Sequence, residues 1–91
     1  MSLINSSGFM EIAIIAHDGK KADLIDFLIK NEAVLHNEKV RLIGTGTTGG
    51  KAEAAGFKTQ RMLSGPLGGD AQIAGRVAEG ITKMVFFFKD P

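Results

Sequence analysis

The sequence predicts an α/β fold in which a parallel sheet carries helices on both faces, a three-layer arrangement of the Rossmann or flavodoxin-like type. Strand-like apolar runs alternate with amphipathic stretches along the chain, and short connections of glycine and polar residues separate them. With 91 residues the chain forms at most one domain. We expect residues 1–10 to be a leader that is disordered or left over from expression, and residues 11–91 to be the single domain.

The first half of the chain predicts a strand, a helix and a second strand. Glu11–Ala16 is a near-continuous apolar run, as expected for a strand buried on both faces of a parallel sheet. From Lys20 to Glu32 the apolar residues recur at helical spacing and form one broad stripe. Asp18 is placed to cap that helix, and Val40–Ile43 reads as the second strand.

The second half repeats the alternation. We predict four further elements: a helix from Lys51 that Gly56 ends, a weaker strand over Phe57–Leu63, a helix over Ala71–Glu79 followed by Gly80, and a strand over Met84–Phe88. The resulting order β-α-β-α-β-α-β is typical of a parallel sheet with helices on both faces.

Composition excludes several classes of protein. The net charge is +1, so nothing suggests nucleic acid or an anionic membrane as a partner. The chain contains no cysteine, and therefore no disulfide framework or thiolate metal site. No run of about 18 apolar residues and no signal peptide is present, so we expect a cytoplasmic protein.

A polar cluster follows each predicted strand. These clusters are His17-Asp18, Thr45–Gly50, Ser64–Asp70 and Lys89-Asp90. Because the carboxyl ends of parallel strands share one edge of the sheet, ligands bind there. We therefore expect the four clusters to form one cleft.

The glycine and threonine segment from Gly44 to Gly50 predicts an anion site. Glycines let backbone N–H groups converge on a ligand, and the following helix favours negative charge at its start. The threonine hydroxyls add donors for a phosphate. The segment fits Gly-x-Gly-x-x-Gly, but Lys58–Gly69 holds no acidic residue for a ribose. A Walker A loop is excluded too, because Thr45 and Ala52 replace required residues. A tight turn without a ligand stays open.

Single polar residues near this edge have alternative interpretations. His17 either hydrogen-bonds a neighbouring carbonyl or contacts a ligand, and Asp18 and Asp70 both suit a helix N-cap. Lys21 lies in the first turn of a helix, where the dipole disfavours a cation, so its ammonium could attract an anion. For the remaining candidates we expect core packing or solvation: Phe86–Phe88 in the core, Arg61 and Arg76 in solvent.

Four motifs together resemble the methylglyoxal synthase family. They are Ala16-His17-Asp18, Gly44–Gly49, Leu63–Asp70 and Phe87–Pro91, and they occur in the family's order and spacing over Glu11–Pro91. The resemblance implies a methylglyoxal synthase-like fold and a lyase that converts dihydroxyacetone phosphate to methylglyoxal and inorganic phosphate. It implies no metal or organic cofactor, and a cytoplasmic homohexamer.

The resemblance also implies roles for single residues. Phosphate and substrate contacts fall on His17, Lys21, Thr45, Gly46, Thr47, Thr48, Ser64 and Gly65. The catalytic carboxylate falls on Asp70, and Asp18 and Asp90 lie at the edge of the same site.

The chain departs from the family at several points. Ala71 stands where many members have Gln, and Lys89 stands where Trp or another residue is common. The family continues past the counterpart of Pro91 with a histidine that polarises the substrate carbonyl, a further strand, helices and a phosphate-contacting arginine. Either the sequence is a fragment or the protein is truncated.

Two other functions compete with the lyase. A similar domain could act as a regulatory module that binds a phosphorylated effector without chemistry, or as a structural domain. A pure binder has no use for a base at Asp70. The intact Ser64–Asp70 segment therefore favours the enzyme.

Overall fold

A computed structural model describes residues 9–62 and 68–90, with four parallel strands in one sheet. The strands are β1 (Met10–Ala16), β2 (Val40–Gly44), β3 (Thr59–Arg61) and β4 (Thr82–Phe88). Their order across the sheet is β3-β2-β1-β4. The register places Ile14 beside Gly44 on one side and beside Phe86 on the other. The predicted parallel α/β sheet is confirmed.

Helices cover both faces of this sheet. They are α1 (Lys21–Lys30), α2 (Glu32–Leu35), α3 (Gly46–Ala54) and α4 (Gly69–Ala78). The larger core joins one face of β1 and β2 to side chains of α1, α2 and α3; its buried members are Ile12, Ile14, Ala16, Leu24, Leu28, Leu35, Leu42, Ala52 and Phe57. On the opposite face, Ile73 of α4 packs against Ala13 and Ile43. Within the described ranges, no helix is long and apolar enough to cross a membrane.

The first helical segment differs from its prediction. A 3-10 turn over Asp18–Lys20 precedes α1, and the Asp18 side chain caps neither element. The expected N-cap role of Asp18 is therefore wrong; its carboxylate instead binds the Lys21 ammonium. The helix also breaks at Asn31, whose side-chain Nδ2 donates to the Phe27 carbonyl oxygen at 2.8 Å. Such side-chain bonds compete with the helical pattern of the backbone.

The start of α3 is the largest departure from prediction. The glycine and threonine segment forms the first turns of the helix from Gly46, not a loop that precedes a helix at Lys51. Helix propensity disfavours glycine by about 1 kcal/mol per residue relative to alanine. Tertiary packing overrides that preference here, because Gly49 and Gly50 lie against the Arg61 side chain. The predicted end of the helix is confirmed, since Gly56 has φ +98°.

Two elements in the second half are shifted. The third strand is shorter than predicted, and Leu63 lies outside the described residues. Helix α4 begins at Gly69, and its N-cap is Gly68 with φ 96° and ψ 14°, a left-handed conformation that favours glycine. Asp70 is therefore the second residue of the helix and not its N-cap. Gly80 follows the end of α4 with φ +76°, as predicted.

The phenylalanines and arginines are only partly where we expected them. Phe86 and Phe88 pack against the core, but Phe87 is 54% exposed because β4 is an edge strand of the described sheet and alternate residues face opposite sides. Arg61 is exposed and paired with Glu53 at 2.6 Å. The solvated position expected for Arg76 is wrong, since its guanidinium binds the buried Glu11 carboxylate through two hydrogen bonds.

Candidate functional site

Backbone hydrogen bonds join the carboxyl ends of the strands into one continuous edge. The amide of Met62, just after β3, donates to the Gly44 carbonyl at the end of β2 at 2.6 Å. On the other side, the amide of His17 donates to the Phe88 carbonyl at the end of β4 at 2.9 Å. The segments that follow all four strands therefore leave the sheet at the same edge, which we call the carboxyl edge.

The N-terminus of α3 lies on this edge. Thr45 is extended, with φ −67° and ψ 161°, and makes no side-chain cap hydrogen bond. The first intrahelical bond runs from the Gly49 amide to the Thr45 carbonyl at 2.6 Å. The first amides of an α-helix have no acceptor within the helix, and the helix dipole favours an anion beside them. Thr45 and Thr48 are buried and Thr47 is exposed, so the Thr47 side chain is the accessible one of the three.

Glycine at two positions allows the tight connection from β2 into α3. A Cβ on Gly44 would lie 3.2 Å from both Cγ1 and the carbonyl oxygen of Ile14, and 3.3 Å from the Gly49 amide nitrogen. A Cβ on Gly49 would lie 3.1 Å from Cγ of Arg61. A side chain at either position would press on these neighbours, so glycine favours a start of the helix this close to the strands.

Lys21 places a cation at the same edge. The side chain is largely buried, and its ammonium donates to the Ala16 carbonyl at 3.3 Å and to Asp18 Oδ1 at 2.7 Å. The hydrogen bond and positive charge of Lys21 hold the pKa of the Asp18 carboxyl below its ordinary value. The Asp18 side chain is exposed, so solvent and salt weaken the attraction between its carboxylate and the Lys21 ammonium. The ammonium is therefore not fully neutralised and can still attract an anion.

A cleft beside the edge brings in a second lysine that sequence reasoning missed. The cleft has a volume of about 610 Å³, and Asp18, Lys21 and Lys51 line it between α1 and α3. From the sequence, Lys51 was predicted only to lie in a helix. No local pattern shows which residues of α1 its side chain will lie near. A larger cavity of about 750 Å³ lies at the amino ends of β2 and β3 and contains none of the predicted site residues.

His17 and Asp90 meet where β1 and β4 end. The Asp90 amide donates to His17 Nδ1 at 3.0 Å, and the Asp90 Oδ2 lies 3.8 Å from the same nitrogen. The Phe87 ring packs edge-on against the imidazole, with centroids 5.4 Å apart. The expected contact between His17 and a neighbouring carbonyl is thus replaced by an amide that donates to the ring.

Part of the predicted site lies outside what the structure describes. Ser64 and Gly65 are outside the described residues, and so is the side chain of Asp70, whose backbone lies in the first turn of α4. In the part of the chain that is described, no three His, Asp or Glu side chains are grouped to hold a metal ion. The described geometry brings together His17 with Asp90, and Lys21 with Asp18, at the carboxyl edge of the sheet.

Several methylglyoxal synthases are similar to this chain over most of its length. Methylglyoxal synthase of Clostridium beijerinckii is 54% identical over 83 residues, which are 90% of this chain and 68% of that protein. Methylglyoxal synthase of Thermus thermophilus is 48% identical over 81 residues, 88% of this chain and 63% of that protein. No family model matches the chain.

A solved structure has the same fold. The crystal structure of methylglyoxal synthase from Elizabethkingia anophelis NUHP1 matches with a TM-score of 0.84 and 42% sequence identity. The match covers 92% of this chain and 55% of that one. The sequence and structural similarities agree with the motifs at the carboxyl edge, and this chain belongs to the methylglyoxal synthase family.

Proposed function

We propose that the protein is a carbon–oxygen lyase that converts dihydroxyacetone phosphate to methylglyoxal and inorganic phosphate. The observation that carries the proposal is the start of α3 at Gly46, separated from β2 by one residue, on the same carboxyl edge where the Lys21 ammonium binds the Ala16 carbonyl at the end of β1. The family of the chain supports the same activity. The chain spans 55% to 68% of the length of the relatives described above, so catalysis by these 91 residues is part of the proposal.

The substrate phosphate would bind at the N-terminus of α3. Backbone amides of Gly46, Thr47 and Thr48 supply donors, and the helix dipole adds a favourable field. The Lys21 ammonium would supply a positive charge, and the exposed Thr47 hydroxyl would supply a further donor. Together these groups would hold the phosphate in one orientation.

The carbon chain of the substrate would extend towards the start of α4, where Asp70 would act as the base. Its carboxylate would remove a proton from the carbon beside the carbonyl and give an enediolate. Inorganic phosphate would then leave the adjacent carbon with the C–O bonding electrons and take up the proton from Asp70, and the product enol would rearrange to methylglyoxal. Elimination requires the C–O bond to lie out of the enediolate plane, so a rigid phosphate site would act by positioning.

Exchange of Asp70 for asparagine separates chemistry from binding. Asp70→Asn keeps the size of the side chain and removes the proton acceptor, so methylglyoxal formation should fall about 10²- to 10⁴-fold. Phosphate affinity measured by calorimetry should stay near that of the parent. Asp26→Asn is the control, because Asp26 is exposed and pairs only with Lys30 among the contacts described. Parent-like turnover in Asp70→Asn would exclude Asp70 and leave Asp18 and Asp90 as the next candidates.

A second candidate function is a regulatory module that binds a phosphorylated effector without reaction. The observation that favours it is that the first amides of α3 can bind a phosphate without any contribution from a base. Saturable phosphate binding with no methylglyoxal formation by the parent chain would support this module and contradict the lyase.

We also propose that the chain associates with further copies of itself in the cytoplasm. Strand β4 is an edge of the described sheet and exposes Met84, Val85 and Phe87 by 44%, 40% and 54%. Exposed apolar edge strands tend to pair with other chains. Sedimentation equilibrium should show a concentration-dependent mass that Val85→Lys lowers, and a monomeric parent at high concentration would contradict the proposal.

A further inference from the structure

His17 makes three contacts with the end of β4, one through its backbone and two through its imidazole. The His17 amide donates to the Phe88 carbonyl at 2.9 Å, which fixes the backbone. The Phe87 ring packs at 82° to the imidazole and restricts its rotation. The Asp90 amide then donates to Nδ1 at 3.0 Å. This last contact shows that Nδ1 is the acceptor, because a backbone N–H is always a donor.

We propose that the Asp90 backbone amide fixes the neutral His17 side chain in the Nε2–H tautomer. A neutral imidazole has one protonated nitrogen that donates and one unprotonated nitrogen that accepts. The nitrogen that accepts from Asp90 must be the unprotonated one, so the proton resides on Nε2. Asp90 is thereby a positioning residue, and it acts through its backbone.

The Asp90 carboxylate is the group that could oppose this tautomer. An oxygen acceptor beside Nδ1 would favour a proton on that nitrogen. Oδ2 lies 3.8 Å from Nδ1, well beyond the hydrogen-bond range of about 2.7–3.2 Å, whereas the amide nitrogen lies within it. Oδ1 is turned towards Gly19 and lies 2.9 Å from the place where a Cβ would stand. The amide therefore determines the tautomer.

The consequence for the site rests on the proposed function. Phosphate and carbonyl oxygens of the substrate are hydrogen-bond acceptors, so they require a donor. The Nε2–H tautomer supplies one, while the other tautomer would set a lone pair against the substrate oxygens. We therefore assign His17 as a neutral donor to a substrate oxygen, distinct from the base.

Nitrogen NMR of the uniformly ¹⁵N-labelled chain tests the tautomer directly. At about pH 8, the spectrum should show a protonated Nε2 and an unprotonated Nδ1 for His17. A scalar coupling across the hydrogen bond should connect the Asp90 amide nitrogen to Nδ1. A protonated Nδ1, or equal populations of the tautomers, would overturn the proposal without any variant.

Two variants at Asp90 show whether its amide or its carboxylate determines the His17 tautomer. Asp90→Ala keeps the N–H and removes the carboxylate, so the Nε2–H tautomer should persist. Asp90→Pro removes the N–H, so the preference should be lost and both tautomers should appear. Retention of the parent tautomer in Asp90→Pro would overturn the role of the amide.

Inorganic phosphate separates this inference from the proposed function. Phosphate should shift the Nε2 signal of the parent more than the Nδ1 signal. If the tautomer is as expected but phosphate leaves both nitrogens unchanged, the tautomer assignment stands and the donor role of His17 in the proposed site is wrong.

Discussion

The Arg76 guanidinium binds both oxygens of the buried Glu11 carboxylate and so ties α4 to β1. Nε donates to Oε2 at 2.8 Å and the terminal nitrogen donates to Oε1 at 2.7 Å. Thr82 Oγ1 of β4 donates to Oε2 at 2.7 Å, so three elements meet at one carboxylate. Glu11 is 1% exposed, and this cluster lies on the same face of the sheet as the small core of α4. It therefore fixes the helix that carries Asp70.

Removal of Arg76 should be far more costly than removal of Arg61. Arg76→Met would leave the buried Glu11 carboxylate without its main partner, which costs about 3 kcal/mol in the free energy of unfolding. Arg61→Met is the matched control, because its pairing with Glu53 is exposed and contributes at most about 1 kcal/mol. Urea denaturation of both variants measures the difference, and equal losses would show that the buried pair has no special weight.

The same pair predicts a loss of stability in acid. The hydrogen bond from Arg76 is the main cause that lowers the pKa of Glu11 in the folded state, and burial opposes it. The unfolded chain therefore takes up this proton first, so the stabilisation is complete above the ordinary pKa of 4.5 and is lost as pH falls below it. The difference in unfolding free energy between the parent and Glu11→Gln should shrink from about pH 6 to about pH 3. A constant difference would contradict the assignment.

Glycine at the β2–α3 connection should be required for stability. Gly44→Ala would place a Cβ 3.2 Å from the Ile14 backbone oxygen, and such overpacking costs about 1–3 kcal/mol. Gly75→Ala is the control within α4, where a Cβ meets nothing within 4 Å. It should stabilise the protein by about 0.5–1 kcal/mol, because alanine is the better helix former. Thermal unfolding should show a lower melting temperature for Gly44→Ala and a higher one for Gly75→Ala than for the parent.

Lys21 should contribute to phosphate affinity through its charge. Lys21→Met removes a largely buried ammonium at the carboxyl edge, and a hydrogen bond to a charged group is worth about 1.5–3 kcal/mol, or about tenfold or more in Kd. Lys30→Met is the control, because Lys30 lies at the far end of α1 and is exposed. Calorimetry should show weaker phosphate binding only in the first variant. Equal affinities in both would exclude Lys21 from the site.

Gly46 permits a test of a single backbone donor. Gly46 is the first residue of α3 and Thr45 before it is extended, so proline fits the backbone at this position. Gly46→Pro removes one backbone amide donor. Gly46→Ala also adds a Cβ but keeps the amide donor. Phosphate should bind more weakly to the proline variant than to the alanine variant, and equal affinity would show that this amide makes no contact.

The sequence predicted the alternation of strands and helices because apolar periodicity is local. It also predicted the parallel sheet and the polar clusters at its carboxyl edge. It missed that α3 begins at Gly46, because glycine opposes a helix locally, whereas in the fold Gly49 and Gly50 of this helix pack against Arg61. The pairing of Glu11 with Arg76 joins residues 65 positions apart, and no local pattern encodes such a contact.

Polar side chains at the edge were the hardest to predict. Asp18 has the residue type and position of an N-cap, yet the ammonium of Lys21 competes successfully for its carboxylate. The amide of Asp90 reaches His17 only after β1 and β4 pair in register. Such choices depend on which donors the fold brings within about 3 Å, so sequence alone can name the candidates but not their partners.

Titration of the ¹⁵N-labelled chain with inorganic phosphate tests the central claim most directly. We expect saturable shifts of the Gly46, Thr47 and Thr48 amides, because these are the first amides of α3. Residues that line the cavity at the amino ends of β2 and β3, such as Gln60, should stay unchanged. Shifts confined to that cavity, or no saturable shift at the start of α3, would contradict a phosphate site at the carboxyl edge.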